Sequence, residues 1–240
     1  MLDVASWTTR LAGPARQVAG IAGPVVFTGA WIVSSLRQTG YPAAEIQLSG
    51  LAAPDARDPW IMVAGFVVLG GCTVAFGAAL HDALGRSSSV GQGRWRGGAG
   101  AAPRLIQGAG LLTIAAGLLR RDRMLLTPGS VSWHNHAHDV ISAVIYADLV
   151  AAQVLLAARF GRDPGLGAEG RGSWRPWRPW LLASGLATGA ALVAFAADTS
   201  AAGAGVLQRT AVTIPLAAMA AVAARLLGTQ FRTPVRSGSP

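Results

Sequence analysis

The chain has 240 residues, 52% of them hydrophobic and 13% charged, with a mean hydropathy of +0.42, where an ordinary soluble domain carries about 25% charge. Six apolar spans of roughly 20 residues would take up about half of such a chain, which excludes a large soluble domain and predicts an all-α, polytopic membrane bundle. All 20 basic residues are arginine, giving a net charge of +9 against 11 acids, and an excess of this kind is expected of arginine-rich cytoplasmic loops, so nucleic acid is not an expected partner.

Charge-free runs predict spans over Val18–Leu36, Pro59–Leu80, Leu105–Leu119, Val140–Ala158, Pro179–Ala197 and Thr210–Ala224. They form one transmembrane domain over 18–228, between a cytoplasmic segment 1–17 and a flexible tail 229–240. The first run is too long for a signal-peptide core and no small-residue cleavage site follows it, so it is read as a helix kinked at Pro24. The third and sixth runs are short, and Arg104, Arg120, Arg209 and Arg225 lengthen them by snorkelling. Cys72 is the only cysteine, so no intramolecular disulfide forms.

Fourteen arginines fall in the N-terminal segment, the second and fourth loops and the C-terminal end, against six in the other three loops. Both termini are therefore expected in the cytoplasm of a cell whose plasma membrane the chain spans, with the first, third and fifth loops outside. The stretches 86–103 and 164–172, rich in glycine, read as flexible. Trp174, Trp177 and Trp180, interleaved with arginine and proline, read as an interfacial belt, and Gly185 with Gly189 as a close-packing pair.

The outward loops hold six of the 11 acids, six arginines and three of the four histidines, which places any site at that end. The densest cluster is Trp133-His134-Asn135-His136-Ala137-His138-Asp139, leading into the fourth span. On a helix, His134 and His138 share a face, as a pair of metal ligands would, and a divalent ion such as zinc would need a third ligand from Asp122, Asp198, Asp55 or Asp58. Position 135 is Asn, so the built-in general base of the zinc-protease motif is missing, and the structural alternative is a helix cap with Asp139 in the first turn.

Arg120, Arg121 and Arg123 flank Asp122 just before this cluster, where topology alone does not call for positive charge. They either hold a phosphate or carboxylate, or pair with Asp122, Asp139 and Asp198 to brace the loops. Asp148 is the one acid inside a span, and an ionised carboxylate there costs roughly 2.5–3.5 kcal/mol, so it is protonated, paired or turned to a polar cavity. Ser49 in the first loop is a candidate nucleophile or a helix cap.

Gly23-Pro24 with Phe27, Gly40-Tyr41-Pro42, the run Leu48 to Pro54 and Trp60 to Gly65 together resemble the bacterial and archaeal membrane family called domain of unknown function 998. Asp122, His138-Asp139 and Gln208-Arg209 are similar to later positions of its pattern, and the resemblance runs from about residue 17 to 228. It implies six helices and a membrane location but no activity, and it marks Tyr41 as a position of interest.

Three functions are compatible with this reading. The first is a membrane protein whose outer loops bind a lipid headgroup or partner. The second is a metal-dependent or acid–base enzyme using His134, His138, Asp139, Asp122 or Ser49 on a lipid or isoprenoid. The third is a small proton-coupled transporter relaying through Asp148.

Overall fold

The computed structural model of the chain describes residues 4–88, 100–124, 131–162, 173–197 and 202–230. Among them are six α-helices and no strand: α1 (Val4–Arg37), α2 (Pro59–Ser88), α3 (Ala101–Leu118), α4 (Trp133–Arg162), α5 (Trp177–Ala197) and α6 (Ala204–Gln230). A buried single-turn 3-10 helix, Leu48–Ala52, lies in the first loop. Each α-helix contains a segment long and apolar enough to cross a membrane, and the chain is a multi-pass membrane protein.

The helices are longer than the charge-free runs, because a bilayer limits where apolar residues lie and not where a helix ends. α4 has 30 residues and is therefore about 45 Å long, against roughly 30 Å of hydrocarbon, so part of it extends beyond the span. α1 already begins at Val4 and continues through Pro24, so the expected separate N-terminal segment is helical from there on. Of the stretches read as flexible, 89–99 and 164–172 lie outside the described residues, as do 231–240 of the tail, while 86–88 belong to α2 and 101–103 to α3.

The helices form a ring in chain order, each packed on its neighbours, with α6 closing against α1. The tightest contacts join α1, α2 and α3. A Cβ on Gly70 of α2 would lie 2.5 Å from the Gly110 carbonyl oxygen of α3, and a Cβ on Gly110 would lie 2.7 Å from that of Gly70, so the two backbones touch only because both residues are glycine. The pair singled out in α5 behaves differently: Gly185 packs on Gln153 of α4, whereas Gly189 has nothing within 4 Å.

Core side chains include Phe27, Met62, Phe76, Leu80, Phe160 and Val222. Trp174 departs from the interfacial belt expected of it. It is buried against Phe160 (ring centroids 4.5 Å apart) and Trp177, with the Arg225 guanidinium over its ring at 5.3 Å, because Trp174 precedes α5 and folds back under the bundle. Trp180, a turn into α5, is exposed as a belt residue should be.

Candidate functional site

The first loop and the α3–α4 connection converge on one end of the ring and form a polar cap. Arg121 is its centre. With only 5% of its surface exposed, it donates from Nε to Asn135 Oδ1 (3.3 Å) and from Nη1 to Gln47 Oε1, and its Nη2 lies 3.5 Å from Asp139 Oδ1. One planar guanidinium thus ties the first loop to the start of α4. Burial pulls its proton affinity down, and the Asp139 and Asp122 carboxylates oppose that. Asn135, fully buried, also donates to Asp139 Oδ2 at 3.0 Å.

Asp122 organises the α4 N-terminus from outside. The Ser132 hydroxyl and backbone amide donate to it at 2.5 and 2.7 Å and, in that order, hold its carboxyl below the usual carboxylate range. Ser132 Oγ in turn accepts from the Asn135 amide (3.4 Å), as an N-cap hydroxyl does. Asp139 lies beyond the first turn, because α4 starts at Trp133, so its partners are side chains and not the helix terminus.

The α6 N-terminus secures the other side of the cap. Arg209 donates to the carbonyls of Ala43 (2.6 Å) and Ile46 (2.9 Å) and to the Tyr41 hydroxyl (2.5 Å), and it lies over the rings of Trp31 and Tyr41. Gln208 Oε1 accepts from the Leu48 amide at 2.5 Å. The Met124 amide donates to Asp55 (2.8 Å), and Arg37 pairs with Asp58 (2.5 Å). Tyr41 is therefore a part of the clamp.

The histidines separate. His138 is buried and its Nδ1 faces two carbonyl oxygens at the end of α3, Ala116 (3.0 Å) and Leu119 (2.9 Å). Two acceptors at Nδ1 place the proton there in the neutral ring, leaving Nε2 as an acceptor. His134, one turn nearer the helix end, has left the bundle: it is exposed and stacks on Trp133 at 3.8 Å. His136 is exposed as well. Among the described residues no three His, Cys, Asp or Glu side chains are grouped to hold a metal ion, so the expected zinc pair gains no third ligand there. Asp198 lies outside the described residues. Arg120 and Arg123 are exposed and make no described contact, while Arg121 and Asp122 are fully engaged in bracing.

Beneath the cap lies a cavity of about 730 Å³, including its open mouth. Its walls come from α1, α2, α3, α4 and α6, and its roof from Leu48 and Ser49 of the 3-10 turn. Phe27, Phe66, Leu69, Val212, Leu216 and Met219 make most of it apolar. Among the described residues no Arg, Asp or Glu lines it. His138, Ser142 and Tyr146 follow one another at four-residue spacing down α4, a polar ladder about 12 Å long facing those apolar walls.

Ser49 in the roof is 3% exposed, and its hydroxyl has no hydrogen-bond partner and caps no helix, so the capping role expected as the ordinary one does not apply. Thr73 and Thr113 also line the cavity, but their hydroxyls donate to carbonyls of their own helices. Asp148 is not among the lining residues. It sits on α4 beside Gly108 of α3, 3.4 Å from where a Cβ on that glycine would lie.

The chain matches a protein family described as protein of unknown function (DUF998) over residues 21–225. It belongs to that family. The match covers all six membrane helices and both arms of the polar cap, so the resemblance seen in the glycine, proline and His-Asp motifs extends across the site. No curated protein and no solved structure gives a match. Gln47, Asn135, Ser132 and Gln208 belong to the site and were not singled out as functional in the sequence. Ser132 carries a local signal, a serine immediately before the helical run, and Gln208 was marked only through the family pattern.

Proposed function

We propose that this family member binds a lipid or isoprenoid molecule inside the membrane, with its chain in the apolar cavity and its polar end under the cap. The observation that carries the reading is a cavity beneath the cap, apolar on most sides, with a buried unpartnered hydroxyl in its roof. Arg121 and Arg209 are turned to partners within the cap, which makes it a lid over a site and not the site itself; Arg57, Arg120 and Arg123 are exposed and remain to meet headgroups at its surface.

Access is lateral. No residue of α5 lines the cavity, and 189–197, the half of α5 nearer the cap, holds no buried residue. The opening between α4 and α6 then faces hydrocarbon past Val140, Val144, Val193 and Val206, all exposed. In this reading the cap faces outwards from the cell membrane and both termini lie in the cytoplasm.

The test is lipid analysis of the protein purified in nanodiscs, compared with Ser142→Trp, which fills the cavity from α4. The expected result is about one equivalent of a lipid that the variant loses while keeping its elution profile and thermal midpoint. Equal lipid content in both, with the variant folded, refutes the proposal. Ser49 and His138 sharing one cavity favour a second reading, acid–base chemistry on the bound lipid, for which turnover abolished by Ser49→Ala is the signature.

A further inference from the structure

We infer that the ligand is a neutral alcohol whose hydroxyl is held at the roof of the cavity by Ser49 and His138; this rests on the lipid-binding reading above and specifies its ligand class. Three observations restrict the chemistry. Among the described residues no Arg, Asp or Glu lines the cavity, and every cap arginine with a buried guanidinium is turned to a loop carbonyl or side chain, so a phosphate or ionised carboxylate would enter without a counter-charge.

The walls set the second limit. Phe27, Leu69, Leu216 and Met219 surround the space with carbon, which suits a hydrocarbon chain below the polar pole.

The third limit is hydrogen-bond polarity at the roof. His138 commits Nδ1–H to the Ala116 and Leu119 carbonyls, so its other nitrogen offers a lone pair and requires a donor. The Ser49 hydroxyl, buried with no partner, has a proton to give. A ligand hydroxyl answers both by donating to His138 Nε2 and accepting from Ser49 Oγ. An ether, ester or ketone oxygen answers only Ser49. The Tyr146 and Ser142 hydroxyls, lower on the same face of α4, keep the approach to this pole polar while α1, α2 and α6 present carbon.

The experiment is competition photolabelling in nanodiscs with a diazirine-bearing octadecanol, mapped by peptide mass spectrometry, using octadecanol, octadecyl methyl ether and stearate as competitors. Labelling of cavity peptides containing Phe66, Leu69 or Met219, displaced about tenfold more effectively by octadecanol than by its ether, is expected. His138→Gln should weaken octadecanol while leaving the ether nearly unchanged, and Ser49→Ala should weaken both, a pattern that loss of folding cannot produce. If the three competitors act equally, or stearate acts best, the alcohol assignment is overturned, whereas lipid binding stands provided Ser142→Trp abolishes the label. Absence of label from the cavity peptides overturns both.

Discussion

Replacing Arg121 with Met removes the centre of the cap while preserving length and most of the apolar stem. Two hydrogen bonds from a charged donor to Gln47 and Asn135 are lost, each worth about 1.5–3 kcal/mol, and a fully buried Asn135 loses a partner. The contact with Asp139, whose side chain is 49% exposed, adds no more than about 1 kcal/mol because water screens it. Relief from burying a guanidinium offsets part of this, so a net loss of about 3 kcal/mol is expected. For a protein of this size that lowers the thermal midpoint by about 6–12 °C. The assay is thermal unfolding in detergent followed by fluorescence-detected size exclusion, with Arg120→Met and Arg123→Met alongside. Both of those side chains are exposed and should shift the midpoint by less than about 2 °C. Equal shifts in all three variants would refute the claim that one arginine of the cluster carries the cap.

Asp122 supplies a pH signature. Its carboxyl is held below its unfolded value of 3.8, so its stabilising effect is present in full above that value and is lost as pH falls through the lower folded value. The wild-type midpoint should therefore drop below about pH 4, and Asp122→Asn should be less stable at neutral pH with a shallower acid decline; parallel acid curves would contradict this. At the α2–α3 crossing, Gly110→Val places carbon 2.7 Å from the Gly70 oxygen and 2.8 Å from Val74 and should reduce the folded yield severely, whereas Gly189→Val, with open space around it, should be close to silent on the same chromatogram.

The spans were legible because apolar runs have to lie in the bilayer, and the polar character of the cap end was legible because charged residues and histidines cluster there in the sequence. Which arginine turns inward was not. Arg120, Arg121 and Arg123 are equivalent in composition, and only the path of the α3–α4 connection, fixed by Asp122 on Ser132, aims the middle one at Gln47 and Asn135. Asn135 drew attention only as the residue standing where a zinc protease has glutamate, yet it is the most buried member of the His-rich cluster. His134 and His138 have helical spacing but not a common environment, because spacing fixes direction around the axis and says nothing of where the bundle ends. The cavity belongs to no segment. It arises from closing six helices into a ring, and that is a tertiary fact.

The cap and the cavity explain one another. Arg209, Gln208, Arg121 and Asp55 all hold the first loop or the connection facing it, and their combined effect is to press Leu48–Ala52 into the mouth of the ring. Gly205 permits this approach, since a Cβ there would collide with the Ala43 and Ile46 carbonyls. A loop built only to shield the helix ends would gain from an apolar residue at position 49, because a buried hydroxyl without a partner costs about 1–3 kcal/mol. Ser49→Ala is therefore expected to leave the thermal midpoint unchanged or raise it while weakening lipid retention, opposite directions in one variant. A lower midpoint together with intact retention would mean that the hydroxyl serves the fold and not the ligand.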